Sequence, residues 1–382
     1  MNKLSCFLGV IIISTLFSCN STDFSNPEEV VIRFRELTSK NENQLIYEDF
    51  LSVKSKELVT SDEFVQTRNI HDSILNSRIL LESKVSSLPG DGNNPSYRRF
   101  KVDERSVFKG DTMNVRHYYT LVNEDGQWKI IWTGTLKNLA EKKSENGNYS
   151  EARDILEKII SIDPYSGEAY NALAWTYYRD KSLTKEIREE GIVKNASYAM
   201  NIEEDNSEHY NILASYYDLM ENKDLSIHYF ERALAVAINK KEKGVYYANL
   251  SGFFSDKKEY EKAEDCLKKA LDLDQNSAFY WLKYGNLMKS KRDNSKAKEY
   301  YEIALQKPKM EKVLQGSLYA LYSICCFDEG LCESAKEYAF KALDMEPNNE
   351  GYQSLQKLLS SCKEGTKDGY QNLMIWAYLL SL

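Results

Sequence analysis

The chain has 382 residues, 42% of them hydrophobic and 28% charged, which gives room for two or three domains and excludes a disordered polyelectrolyte. Its 58 acidic residues exceed its 50 basic ones and the net charge is −8. That sign disfavours a broad nucleic-acid-binding surface, since neutralised phosphates supply most of such affinity. Only 4 His are present against 27 Tyr, which limits metal and acid–base chemistry and suits helices packed through aromatic faces.

Residues 1–18 read as a secretory signal: Lys3, then an apolar run from Leu4 to Phe17 too short to span a bilayer comfortably. Its end, Leu16-Phe17-Ser18-Cys19, resembles the bacterial lipobox. The resemblance implies cleavage before Cys19, acylation of its thiol and new amine, and residues 19–26 as a lipidated linker. Several acyl chains on one residue anchor a protein stably. An ordinary cleaved signal or a retained N-terminal helix is the alternative. No later run reaches about 20 apolar residues, so such a chain would hang from the membrane by lipid alone.

Residues 27–135 point to a small α+β domain. Pro27 opens an amphipathic helix with Val30, Val31, Phe34 and Leu37, and Thr60-Ser61-Asp62-Glu63 is a capping box before Phe64, Ile70 and Ile74. The period then changes to two, which predicts strands over 78–86, 97–108, 113–122 and 127–135, with Asp125-Gly126 as a hairpin turn. Helices followed by an antiparallel meander indicate α+β. The ending Asp125-Gly126-Gln127-Trp128-Lys129-Ile130 is similar to the last strand of NTF2-like (cystatin-like cone) domains.

From residue 133 the chain repeats itself with a period in the thirties, the mark of a solenoid. Six units are expected, at 133–166, 167–206, 207–243, 244–277, 278–315 and 316–349. The second carries about six extra residues around Lys181 to Glu190, and short spacers follow the third and fifth. Positions 8, 20 and 27 of each unit lie where two helices approach most closely, and sixteen of these eighteen residues are Ala, Ser or Gly. Positions 4, 7 and 11 are mostly large, as in Tyr170, Leu173, Tyr177 and Trp281, Tyr284, Met288, and their spacing is one helix face. With Pro164 and Pro347 at position 32, this segment resembles tetratricopeptide repeats. The first unit departs from the pattern at Lys143. The expected fold class is therefore mainly α: a tetratricopeptide (TPR) solenoid of six helix hairpins plus capping helices over 350–382, preceded by the α+β cone. The tail from Tyr370 to Leu382 reads as a second capping helix, or else as a membrane- or partner-touching segment.

Seven cysteines do not form a small-domain disulfide framework. Cys326 and Cys332 could meet across a helix turn, but buried free thiols are the expectation, and no metal or other cofactor is expected. His117, Tyr119 and Trp132 fall on one face of the last hairpin and are the candidates for a pocket in the cone. No Asp or Glu of that hairpin shares the face, so His117 reads as a core histidine rather than an acid or base. Gly90-Asp91-Gly92-Asn93-Asn94 lacks the alternating ligands of a calcium loop. No Walker, dinucleotide, HExxH or GxSxG pattern occurs, and no catalytic residue is assigned.

The resemblance to tetratricopeptide repeats implies a concave groove lined by first helices. It would carry Asn171, Trp175, Tyr178, Arg179, Asn211, Asp218, Asn249, Phe279, Lys283, Asn286, Ile324 and Phe327. Of the carboxylate clamp known in that family, only Asn249 and Lys283 fit. The expected function is a non-enzymatic, lipid-anchored envelope adaptor that binds protein or peptide partners, weakly favouring the periplasmic face of the outer membrane. Two rivals stay open: a ligand-binding or enzymatic cone with accessory repeats, and a glycan-binding lipoprotein of the kind found in Bacteroidota.

Overall fold

The computed structural model describes residues 22–75, 78–88, 94–108, 111–308, 310–360 and 362. The signal segment, Cys19, residues 90–93 of the glycine-rich loop and the tail 370–382 lie outside the described residues, as do the side chains of Ile70 and Ile74. The chain forms two compact units, residues 1–104 with 116–135, and residues 105–115 with 136–382.

In the first unit α1 (Pro27–Ser39) starts because Asn26 caps it, its side chain accepting from the amides of Glu28 and Glu29. Val30, Val31, Phe34 and Leu37 are all buried. Short helices α2 (Asn43–Leu45) and α3 (Val53–Lys56) flank a π-turn over Ile46–Phe50, none of which the sequence pattern announced. α4 (Ser61–Leu75) opens with a reciprocal capping box: Thr60 N–H donates to Glu63 at 2.9 Å, and Glu63 N–H donates back to Thr60 Oγ1 at 3.3 Å. Strands β1 (Arg78–Ser87), β2 (Tyr97–Phe108), β3 (Asp111–Glu124) and β4 (Gln127–Ile130) form one sheet in the order β1-β2-β3-β4, of which residues 105–115 of β2 and β3 are grouped with the second unit. β3 and β4 pair antiparallel with Leu121 opposite Ile130 and Glu124 opposite Gln127. β4 stops five residues before the expected Thr135. The Ile130 carbonyl accepts from Ser52 N–H, Ile131 N–H makes a last bond to the Thr120 carbonyl of β3 at 2.9 Å, and Trp132 N–H donates to Ser55 Oγ at 2.8 Å. The core gathers Phe34, Phe50, Phe64, Phe100, Val102, Leu121 and Ile130 between helices and sheet.

The second unit is a series of helix hairpins. They are α5 (Gly134–Glu145) with α6 (Tyr149–Ile162), α7 (Gly167–Arg179) with α8 (Lys185–Ile202), and α9 (Ser207–Leu219) with α10 (Lys223–Val236). There follow α11 (Lys240–Asp256) with α12 (Tyr260–Leu273), α13 (Ala278–Ser290) with α14 (Asn294–Leu305), α15 (Lys312–Asp328) with α16 (Cys332–Met345), and then α17 (Glu350–Leu359). α11 and α15 begin four residues before Gly244 and Gly316, so residues read as spacers add a helical turn instead. For α11, Asn239 supplies the cap, accepting from Glu242 N–H at 2.8 Å.

The small residues of the repeats sit where helices touch. Ala140, Ala152, Ala174, Ala199, Ala214, Ala233, Ala263, Ala270, Ala297, Ala304, Ala335 and Ala342 are all 0% exposed. Two of the Ser that replace Ala cross the hairpin: Ser226 donates to the Ala214 carbonyl at 2.8 Å and Ser323 to that of Ala335 at 2.6 Å, while Ser251 donates within its own helix to Ala248 at 2.6 Å. A Cβ at Gly285 would lie 2.2 Å from the Tyr301 ring, so no larger residue fits there.

The first helices of five units end alike. Gly147, Glu221, Lys258, Arg292 and Gly330 all take positive φ. The next residue's N–H reaches back five positions, as from Asn222 to Tyr217 at 2.9 Å and from Glu259 to Phe254 at 2.8 Å. This is the Schellman ending, which normally prefers Gly. Three units adopt it with a charged residue.

The cysteine expectation needs one correction. Cys332 is disulfide-bonded to Cys362 with Cα atoms 5.7 Å apart, within the usual range, and does not pair with Cys326. The bond ties the start of α16 to the residues after α17, a long-range pairing that helix spacing could not indicate. Cys266, Cys325 and Cys326 are free and buried, and burial pushes the Cys325 thiol up to about 12. Among the described residues no helix is long and apolar enough to cross a membrane, and no His, Cys, Asp and Glu cluster could hold a metal.

Candidate functional site

In the second unit α7 packs on α9 and α11 on α13, so first helices of successive hairpins line a common face. On these helices Trp175, Tyr178, Asn211, Asn249, Phe279 and Lys283 are half-buried. Trp175 stands edge-on to Tyr178 at 5.4 Å, with the Arg179 guanidinium 5.9 Å from its ring. Burial, then the nearby Asp218 carboxylate, pushes the Tyr178 hydroxyl up. Asn171 turns a buried side-chain oxygen, without a hydrogen-bond partner, into the same helix face. Asn211 spends its amide on Glu208 at 3.3 Å. Phe279 lies beneath Lys283, whose ammonium is 5.2 Å from the ring centre. Burial pulls that ammonium down, against Asp218 and Asp256, which favour its charge.

Two expected groove residues serve the core instead. Asn286 accepts from the buried Tyr301 hydroxyl at 2.7 Å, and Ile324 is 4% exposed inside the terminal cluster around Tyr352. Both point between helices because their units pack a large aromatic there, which position counting does not register. α16 and α17 also frame an open cleft lined by Lys336, Glu337, Gln353 and Gln356, with Phe340 61% exposed at its wall.

A lock that sequence reading missed lies between the second and third hairpins. The Glu203 carboxylate, 2% exposed, accepts from Gly167 N–H at 3.2 Å and Asn206 Nδ2 at 2.9 Å, and sits 2.9 Å from His209 Nε2. Glu203 closes α8 while His209 opens α9, so one buried hydrogen-bonded contact joins the ends of consecutive hairpins.

In the first unit His117, Tyr119 and Trp132 do not converge. His117 is only half-buried and its ring centre is 6.3 Å from that of Tyr119. Its carboxylate partner comes from the neighbouring strand β2: Glu104 Oε2 lies 3.5 Å from His117 Nε2. Arg35 on α1 completes the group, donating from Nε to Glu104 at 2.9 Å and from Nη1 to the Tyr119 hydroxyl at 2.9 Å. Burial would raise the Glu104 carboxyl, but His117 and the Arg35 charge outweigh it and hold it below the usual range. Trp132 instead packs edge-on to Phe64 at 5.5 Å, with Arg68 5.2 Å from its ring. Reading the last hairpin alone hid Glu104 and Arg35, which approach from other elements.

The family model of the tetratricopeptide repeat matches residues 208–237 and 245–277, so the chain carries tetratricopeptide repeats. No curated protein matches at a significant level. Among solved structures it is similar to PilF of Pseudomonas aeruginosa, with 18% identity over 59% of this chain and 97% of that one, TM-score 0.44. It is also similar to PilW, described as a widely conserved type IV pilus biogenesis factor, with 17% identity over 58% and 97%, TM-score 0.48. A third likeness is to the Cut9–Hcn1 hetero-tetramer of the APC/C, with 14% identity over 62% and 43%, TM-score 0.49.

Proposed function

We propose that this protein is a lipid-anchored adaptor of the cell envelope that holds a segment of a partner protein on the first-helix face of its repeats. The observation that carries this reading is the row of half-open aromatic, amide and charged side chains at Trp175, Tyr178, Asn249, Phe279 and Lys283. Aromatic rings supply contact area at little entropy cost, and an Asn amide can donate to and accept from an extended backbone. The Cys332–Cys362 bond fits an exported chain, because disulfides persist in oxidising compartments. Anchoring at Cys19 would raise the effective concentration of any membrane-bound partner. The proposed address is the periplasmic face of the outer membrane. The first unit is read as an NTF2-like cone in which Arg35 ties Glu104 and Tyr119 together beside His117, and no catalytic role is proposed for it.

The test is crosslinking in cells with the full lipoprotein, a Trp175→Ala/Asn249→Ala variant and a Cys19→Ser variant. Defined envelope proteins should be captured by the full chain and lost in the groove variant, and Cys19→Ser should leave the membrane fraction. Equal capture by the groove variant would move recognition off the repeats, and would return the cone as the candidate.

A further inference from the structure

The two edges of the four-stranded sheet are finished differently. Along β4 the chain seals its own edge. Trp128 N–H donates to the Phe24 carbonyl at 2.7 Å and Ser52 N–H to the Ile130 carbonyl at 2.9 Å, beside a parallel bridge from Leu51 to Ile130. Among the described residues no segment does the same for β1, the opposite edge. Yet β1 is ten residues long and holds neither Pro nor Gly. A long open edge presents a row of N–H and C=O groups that invites a second strand, so proteins usually shorten, interrupt or cover it. Residues 80–84 are exposed one after another, with Leu80 at 54% and Leu81 at 53%. Successive side chains point to opposite faces, so these two leucines are bare on both sides of the edge, and no single flat surface such as a membrane covers both. Glu82 and Lys84 flank Ser83 on the Leu80 face, and neither makes an ion pair among the described residues.

We propose that β1 pairs antiparallel with β1 of a second copy of this chain, about a twofold axis at Ser83. Residues directly opposite in an antiparallel pair share a face, so even-numbered residues meet even ones and odd meet odd. An axis at Glu82 would set Glu82 against Glu82, and an axis at Lys84 would set Lys84 against Lys84; like charges opposed in this way are destabilising. The axis at Ser83 sets Glu82 of each copy against Lys84 of the other, so two attractive pairs form by symmetry. The same register sets Leu81 of each copy against Val85 of the other, and Val85 already packs on the margin of the core. It keeps residues 79–87 paired, nearly the whole strand, and gives the outward backbone groups of both copies their partners. Charges that match their own reverse around Ser83 are what select a copy of this chain over an unrelated strand. No residue of the repeat face takes part, so the inference stands apart from the protein-binding reading.

The experiment is oxidative crosslinking, in cells, of the full chain carrying Ser83→Cys, read on non-reducing gels against the unaltered chain. One strand from each copy makes an interface at the small end of the size range, which trapping suits. Opposite residues lie about 4.5–5.5 Å apart at Cα, within disulfide reach. Ser83→Cys should give a species of twice the chain's mass that reductant reverses. Glu82→Cys or Lys84→Cys alone should not, whereas the two expressed together should. Adding Glu82→Lys or Lys84→Glu to Ser83→Cys should cut the crosslinked fraction about tenfold, because both symmetry-related pairs turn repulsive. Carrying both reversals together should restore it, which a misfolded variant would not do. No dimer from Ser83→Cys overturns the proposal, as does equal crosslinking by all three single cysteines. Failure of the double reversal to restore the dimer, or a crosslinked species of any other mass, overturns it as well.

Discussion

The repeat unit and the sheet-bearing unit stabilise themselves over different distances along the chain. In the repeats the close contacts are about a hairpin apart: Ser226 bonds Ala214 and Ser323 bonds Ala335, each twelve residues away. In the sheet-bearing unit Arg35 reaches Glu104 and Tyr119 across 69 and 84 residues, and Trp132 reaches Ser55 across 77. Short-range contacts recur with the period and leave a pattern of small residues. Long-range contacts involve one pair each and leave none. The repeat unit is therefore built from many interchangeable interfaces, while the sheet-bearing unit depends on a few particular ties.

The Glu203 lock is where that contrast is most exposed to failure, because it is a particular tie inside a repetitive unit. Glu203→Ala leaves the buried His209 ring nitrogen without its acceptor and removes one from the Gly167 amide, and should cost about 1–3 kcal/mol in urea or thermal unfolding. A loss under about 1 kcal/mol would mean that generic hairpin packing alone sets the register.

Glu104 tests the other unit. Its carboxyl is held below its ordinary value, so its contribution is present above the unfolded pKa near 4.3 and is lost as pH falls through the lower folded one. Glu104→Gln should cost about 1.5–2 kcal/mol at neutral pH and flatten the fall in stability below about pH 4.3. Parallel acid curves for the two proteins would assign the acid sensitivity to other groups.

The smallest effect should be a gain. Lys258 holds a left-handed conformation that costs an ordinary residue about 1–2 kcal/mol, partly offset by the greater freedom of Gly in the unfolded chain. Lys258→Gly should therefore raise stability by up to about 1 kcal/mol, as Gly147 and Gly330 do at the same place in their units. A loss on substitution would show that the Lys258 side chain carries more than its backbone costs.

The site divides along the same line. The half-buried setting of Trp175, Tyr178 and Lys283 on first helices followed from position counting, since a helix repeats a face every three or four residues. Asn286 and Ile324 were misplaced by the same counting, because Tyr301 and the terminal cluster draw them inward.

The sequence by itself determined the helical hairpins, their small-residue seams and the order of the longer helices and the strands, because each rests on contacts that return at fixed spacing. Only the tertiary structure decided the Cys332–Cys362 pairing, the Glu203–His209 lock, the Glu104 partner of His117 and the early end of β4. Each of these is a meeting of residues set by where distant segments pack, and nothing local encodes it.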